Sequence, residues 1–368
     1  MSSFNEINEC FKFNGLHYNF KTLKVFALHL LKEEKPYNKA IGEFLLKWLD
    51  ISEAITLKTS GSTGIPKSIE IKKQAMVNSA IATGDFFNLK PRDKALLCLP
   101  AHYIAGKMML VRAMVLGLEI DNLEPKYNLQ INTNKQYHFI AMVPMQLEKN
   151  LNKLKNIEKL IVGGAKVSSA LNTKLQVIGT AVFETYGMTE TVSHIAVKQL
   201  NCFKSDNKCY SERSEESVEP YFKTLPNVRI SKDERECLII EAPLVSKEKI
   251  ITNDIVKLHS KNEFEWFGRF DNIINSGGIK IFPEQVENSL FSKITNRFFI
   301  ASEEDETLGE RVILIIEGKK TKVDTALFSD LKSYSKPKAI YFIDEFVVTD
   351  SGKIKRTETL QLLIYQNL

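Results

Sequence analysis

Four short apolar runs between residues 94 and 187, "ALLCLP", "FIAMVP", "KLIVGGA" and "AVFETYG", end in turn residues and are separated by stretches with apolar spacing of three and four. Strands alternating with helices in this way fold as an α/β layer with a largely parallel sheet, because parallel neighbours need a crossover and the crossover helix covers the sheet face. Helices are predicted at about 72–87, 104–116, 145–155 and 168–176. Ligands of such sheets sit at the carboxyl ends of the strands. The segments "VGGAK" and "TYGMTET" directly follow two of these strands and so fall where a ligand would lie.

Upstream, "LKVFALHLL" and "AIGEFLLKWL" give one or two helices over residues 20–50, with a break near Lys35-Pro36. Beyond about residue 200 the pattern changes. "CYSERSEESVEP" is polar and aperiodic and reads as an exposed loop or local insertion. "VRIS", "CLIIEAP", "IVKLHS" and "EFEWFG" then read as strands with tight turns, and an α+β stretch runs from "GRFDNIINSGGIKIFPEQVENSLF" to the end. A chain of 368 residues is long for one domain. A boundary at Asp271 separates a large N-terminal unit, 1–270, from a small C-terminal unit, 271–368.

Composition narrows the function classes. With 43% hydrophobic and 26% charged residues the chain has material for a sizeable core, and a net charge of +5 suits a binder of anionic small molecules. There is no basic stripe with interleaved aromatics, so nucleic acid is not expected as a partner. The beginning has no basic end followed by an apolar run, and no stretch reaches the length of a membrane span. The five cysteines form no CxxC pair and are odd in number, which argues against a disulfide framework or a zinc site and for a reduced, cytoplasmic setting. A homo-oligomer is left open.

"TSGSTGIPKS", Thr59 to Ser68, nearly matches a Walker loop, but Pro66 stands where the second glycine should be. Proline offers no N–H and fixes its own φ, so the usual cradle of backbone donors cannot form. The sequel "SIEIKK" alternates with period two, which predicts a strand rather than the helix a Walker loop opens. A hydroxyl-rich loop between two strands can fold over a polyphosphate, with Ser60, Ser62 and Thr63 donating and Lys67 supplying charge. The ten residues alone are equally compatible with a Gly/Ser hairpin bearing an exposed lysine.

Five ordered segments together are more specific. "TSGSTGIPK", "VGGA" (Val162–Ala165) followed by "YGMTET" (Tyr186–Thr191), "TNDIV", "GRFDNIINSGGIKIFPEQVE" and "DSGKIKR" resemble, in order, the motifs of the adenylate-forming superfamily of acyl-CoA synthetases, amino-acid adenylation domains and luciferases. The resemblance covers about residues 55–357. It implies an α/β fold: a large N-terminal adenylate-forming domain with mixed sheets and helices, plus a small mobile α+β C-terminal domain. It also implies two half-reactions with ATP, Mg²⁺ and CoA, in which a carboxylic acid becomes an acyl-adenylate and then a thioester.

The resemblance carries roles to matching residues. Thr59, Ser60, Gly61, Ser62, Thr63, Gly64 and Lys67 would hold the β- and γ-phosphates, Gly163, Gly164 and Ala165 the adenine, and Tyr186 and Gly187 belong to the central motif. Thr189 would contact the α-phosphate and Glu190 would hold Mg²⁺, a hard cation that favours carboxylate oxygen. Asp254 and Arg269 would take the ribose, although both also read as ordinary surface charges. Lys353 would bridge the carboxylate and the α-phosphate, a role that its motif alone supports, since a lysine near a chain end is normally just solvated. Asp271 would be a hinge whose rotation exchanges Lys353 for the turn of Gly277 and Gly278, which would line the pantetheine channel.

The chain departs from the superfamily pattern at Asn253, where glycine is usual, and at Asn275, where lysine is common. The stretch before the phosphate loop is short, which is similar to compact o-succinylbenzoate-CoA ligases of menaquinone synthesis, whose central motif "ETYGMTETVSHIA" also resembles. That substrate has a second carboxylate, and burying it requires a cation or strong donors. His102 and Lys107 of "PAHYIAGKMM", with Ser193 and His194 after the central motif, are the candidates; each is also at home as a solvated or packed polar side chain. Another aryl- or acyl-CoA ligase, or a non-catalytic nucleotide-binding protein, are the alternatives.

Overall fold

The structure, a computed structural model, describes residues 3–58, 68–201, 221–348 and 354–366. Two helices, α1 (Phe20–Lys32) and α2 (Pro36–Trp48), open the fold, as the spacing predicts. Asn19 caps α1 through a reciprocal pair of bonds with Thr22, and Pro36 starts α2 where its missing N–H costs nothing. The strands Ala54–Lys58 and Ser68–Lys72 pair antiparallel on either side of the near-Walker loop. The loop itself, Thr59–Lys67, lies outside the described residues, as does the Ser/Glu-rich segment.

The alternation that follows is α3 (Lys73–Phe87), α4 (Ile104–Leu116), α5 (Pro144–Lys149) and α6 (Ser169–Leu175) between the strands Lys94–Leu97, Tyr137–Met142, Ile157–Val162 and Ala181–Gly187. These strands are parallel to their neighbours. Leu97, Phe139, Ala141 and Ile161 face α3, α4 and the N-terminal helices, while Leu96, Cys98, Ile140, Met142, Leu160 and Val162 face α5 and α6. Both faces are buried, which is why the runs are continuously apolar instead of alternating with polar residues.

The sheet is not parallel throughout. After Gly187 the chain reverses, and His194–Gln199 returns antiparallel to Ala181–Gly187. From there the same sheet continues antiparallel through Phe222–Thr224, Glu263–Arg269, Ile250–Leu258, Cys237–Glu241 and Arg229–Lys232. The reversal point therefore sits between a parallel and an antiparallel half of one thirteen-stranded sheet, counted among the described residues. Short strands at its other edge, Lys12–Phe13, Leu16–His17 and Glu119–Asn122, are too brief to leave a periodic signal.

Beyond Asp271 a second sheet begins. It joins Ile274–Ser276, Ile279–Ile281, Phe298–Asp305, Gly309–Glu317 and Ala339–Ile343, with α7 (Pro283–Leu290) and α8 (Arg356–Gln366). Its apolar clusters, one around Leu290, Ile300 and Leu314 and one around Phe299, Ile315 and Phe346, contain no residue from the clusters before Asp271.

Candidate active site

A cavity of about 260 Å³ opens at the carboxyl ends of the parallel strands, where Met142, Val143, Gly163, Gly164 and Gly187 line it. Its opposite wall comes from α4, through Ile104, Ala105, Met108 and Arg112. The spacing of 104, 108 and 112 is that of one helical face.

Arg112 is the unusual member. It is 2% exposed and makes no ion pair among the described residues. Its Nε donates to Thr83 Oγ1 at 3.3 Å and its Nη2 to Ser193 Oγ at 3.2 Å, while among the described residues Nη1 meets only Met109 Sδ, at 3.9 Å. A guanidinium has five donors, and sulfur is a weak acceptor, so donor capacity is left toward the cavity. Burial pulls its pKa down to about 9, which still leaves the group charged at neutral pH.

His194 sits beside it, with Nδ1 3.4 Å from Arg112 Nη2. A guanidinium cannot accept, so Nδ1 must, and the ring proton belongs on Nε2. Nε2 is buried and has no partner among the described residues. Burial, and then the charge of Arg112, hold the imidazole well below its ordinary pKa, so it is neutral.

The backbone that presents Ser193 and His194 is strained. Val192, a β-branched residue, has φ +65° and ψ −52°, and Ser193 N donates to Thr191 O at 2.7 Å, which closes a three-residue γ-turn of the less common hand. Such a conformation persists only when its surroundings enforce it. Thr191 Oγ1 does so, bonding Met188 N and O at 2.9 Å and Ser193 O at 2.8 Å. Gly187 is required opposite this turn, since a Cβ there would lie 2.5 Å from His194 Cα and Ser193 O.

Period-two alternation sends Tyr186 to the other side of the sheet from Thr185 and Gly187. There Tyr186 packs edge-on to Phe264, and its hydroxyl donates to Asp254 Oδ2 at 2.6 Å. Trp266 Nε1 donates to Asp254 Oδ1 at 3.1 Å, and Arg269 Nη1 approaches the same oxygen at 3.9 Å. Asp254 is 6% exposed. Burial and the neighbouring carboxylate push the Tyr186 phenol well above its ordinary pKa.

Arg269 also donates to Asp271 Oδ2 at 3.2 Å. Asn253 Nδ2 reaches both oxygens of Asp271, at 3.1 and 3.2 Å, and Arg235 donates to Asn253 Oδ1 at 3.1 Å while lying over the Phe270 ring. Gly277 and Gly278, with φ +58° and +79°, make the two-residue turn of the hairpin that pairs Ser276 with Ile279. Both positive φ values match the turn type that two-residue hairpins favour.

The cavity thus gathers Gly163, Gly164, Gly187, Thr189, Ser193 and His194. Glu190 is exposed next to it and has no hydrogen bond or ion pair among the described residues. His102 and Lys107, the other two substrate candidates, do not line this cavity. Lys107 lies on a different face of α4 from Met108 and Arg112; its ammonium caps the His102 carbonyl, sits 6.0 Å from the Phe44 ring of α2, and is pulled down to about pKa 8 by burial and Lys47. His102 is exposed. Arg112, which the sequence reading did not single out, does line it; its signal was a lone charge inside the apolar run "MMLVRAM". Lys353 lies outside the described residues; Val348 and Ile354, on either side of its segment, pair in an antiparallel bridge.

These features coincide with what the chain is similar to. The family described as "AMP-binding enzyme" matches residues 46–236, just over half of the chain. A 2-succinylbenzoate–CoA ligase of Lactococcus lactis is 24% identical over 327 residues, 83% of this chain and 70% of that protein. One of Bacillus cytotoxicus is 26% identical over 351 residues, 85% and 71% of the two chains. Among solved structures, an acyl-CoA synthetase (AMP-forming)/AMP-acid ligase II-like protein from Dyadobacter fermentans is 36% identical, with a TM-score of 0.59, covering 92% of this chain and 98% of that one. The o-succinylbenzoate CoA synthetase of Bacillus subtilis, in complex with the acyl-adenylate intermediate OSB-AMP, is 20% identical with a TM-score of 0.68 over 92% and 80%. With a cavity at the strand ends, the glycine-flanked turn beside it and a family match across both, the chain belongs to the AMP-binding enzyme family.

Proposed function

We propose that the chain is an ATP-dependent, AMP-forming acid–CoA ligase whose acid is an aromatic dicarboxylate, o-succinylbenzoate. The observation that carries the substrate reading is Arg112: a buried, charged guanidinium against the cavity, with no carboxylate partner among the described residues. A monoacid activated at its one carboxylate would leave that charge unpaired, whereas a second carboxylate would accept the fork. The names of the Lactococcus and Bacillus relatives agree with this reading.

In the first half-reaction one carboxylate oxygen attacks the α-phosphorus of ATP, pyrophosphate leaves, and an acyl-adenylate forms. Two anions must meet, so the site needs cations and aligned donors more than it needs a base. We assign Lys353 to bridge the carboxylate and α-phosphate, Thr189 to donate to the α-phosphate, and the Thr59–Lys67 loop to the outer phosphates. Asp254, Tyr186 and Arg269 are assigned to the nucleoside. Mg²⁺ would neutralise charge on the phosphates. Glu190 fits as its ligand, being exposed and uncommitted, and a single protein carboxylate suffices for an ion that otherwise takes phosphate oxygens and water. In the second half-reaction the CoA thiol attacks the acyl carbon and AMP leaves; Asp271 is the assigned boundary and hinge, and the Gly277–Gly278 hairpin the element that lines the thiol's path. The free state of Cys10, Cys98 and Cys237 is in keeping with a cytoplasmic setting.

The test is a panel of acids, read first as ATP-dependent pyrophosphate release and then as CoA thioester. The diacid should exceed benzoate and medium-chain fatty acids. Arg112→Met should lower kcat/KM for the diacid by roughly a hundredfold, as expected when a buried carboxylate loses its cation, and should spare AMP affinity. Preference for benzoate or a fatty acid would leave another aryl- or acyl-CoA ligase as the reading.

A further inference from the structure

Asp254 offers a carboxylate with two oxygens and four in-plane acceptor sites. Tyr186 occupies one site on Oδ2 and Trp266 one on Oδ1. Among the described residues no further hydrogen bond reaches the carboxylate, Arg269 Nη1 lying at ion-pair distance, 3.9 Å from Oδ1, so one acceptor site on each oxygen remains for a ligand, which is the arrangement that a vicinal diol matches with its two hydroxyls. A carboxylate turns freely about its terminal torsion unless both oxygens are held. The two donors come from different strands, Ala181–Gly187 and Glu263–Arg269, so together they set the plane.

The geometry points to Trp266 as a positioning residue: its indole N–H fixes the plane of the Asp254 carboxylate for recognition of a ribose 2′,3′-diol. This rests on the nucleoside assignment of Asp254 made above. Trp266 is itself anchored. It lies opposite Val256 across the Ile250–Leu258 strand, and Lys166, just after the Gly163–Gly164 turn, lies over its ring at 5.3 Å. The cation over the ring favours the ring in this place, and the backbone pairing fixes its height above Asp254. The indole thus ties the turn assigned to adenine to the residue assigned to ribose. Asp254 N also donates to Thr252 Oγ1 at 3.0 Å, which holds the main chain beneath the carboxylate.

The experiment is calorimetric titration of the whole chain with AMP, 2′-deoxy-AMP and 3′-deoxy-AMP, which needs neither the acid nor turnover. The wild type should bind AMP more tightly than either deoxy analogue. Trp266→Phe keeps an aromatic ring and deletes the donor. It should weaken AMP by about tenfold, the usual scale of one hydrogen bond to a charged group, and leave the deoxy analogues within about twofold of wild type. Trp266→Met, an unbranched filler without a donor, should give the same pattern if the Phe variant does not fold. Equal weakening of all three nucleotides would reduce Trp266 to packing and overturn the proposal. Full discrimination retained in the variant would overturn it too, while leaving the ribose role of Asp254 intact. A wild type that binds AMP and its deoxy forms alike would remove the ribose assignment itself, and the proposal with it.

Discussion

Arg112 and His194 illustrate how one charge dictates its neighbour's chemistry. The guanidinium forces the lone pair of His194 onto Nδ1 and, with burial, keeps the ring neutral. That neutrality carries a stability signature. A histidine whose folded pKa is depressed binds its proton in the unfolded chain first, so its contribution is nil above the unfolded value and unfavourable below it. Stability should therefore fall below about pH 6.5, by up to about 1.4 kcal/mol per pH unit from this residue. His194→Gln, which has no proton to take up, should lose less melting temperature than wild type between pH 7.5 and 5.5. Parallel losses would mean that His194 is protonated within the fold.

Elements carry a different kind of information. The helices and parallel strands were legible because both sheet faces bury apolar residues and the helices repeat at three and four; α3, α4 and α6 fall at the expected residues, and α5 ends early, with a further short turn at Leu151–Lys153. His194–Gln199 and the reversal before it were not legible. Its cause is the γ-turn at Val192, and nothing in a valine announces a positive φ, which its side chain disfavours. The orientation of Lys107 was not legible for a similar reason: the segment "IAGKMMLVRAM" is apolar nearly all round, so periodicity could not say which of its two cations faces the cavity. The turn gives a test of its own. At an ordinary buried position alanine is more stable than glycine, by roughly 0.5–1 kcal/mol. At residue 192 both substitutions lose the same packing, but only glycine relieves the conformation, so Val192→Gly should melt no lower than Val192→Ala. The usual order, with alanine clearly above glycine, would show that the turn is not strained.

At the scale of the molecule, the apolar clusters before and after Asp271 share no residue. What the sequence made plain was the change from helix-rich alternation to short strands beyond about residue 200; what it could not reveal was the clasp of Asn253, Arg269 and Arg235 around Asp271 and Phe270, which joins residues 18 positions apart. The assigned division of labour predicts that Lys353→Ala slows acyl-adenylate formation by about a hundredfold or more while a supplied acyl-adenylate is still converted to thioester. Equal losses in both half-reactions would remove Lys353 from that role.

Arg269 stands between two carboxylates, 3.9 Å from Asp254 and 3.2 Å from Asp271. A single cation shared in this way acts as a lever with two ends. A rotation at Asp271, the assigned hinge, that broke its grip on Arg269 would also change the charge felt at Asp254, so the postures before and after it would hold a nucleoside with unequal strength. Thermodynamic reciprocity then requires the converse: a bound nucleoside must bias the posture by the same factor, and nucleotide occupancy would itself help to decide when the second unit turns.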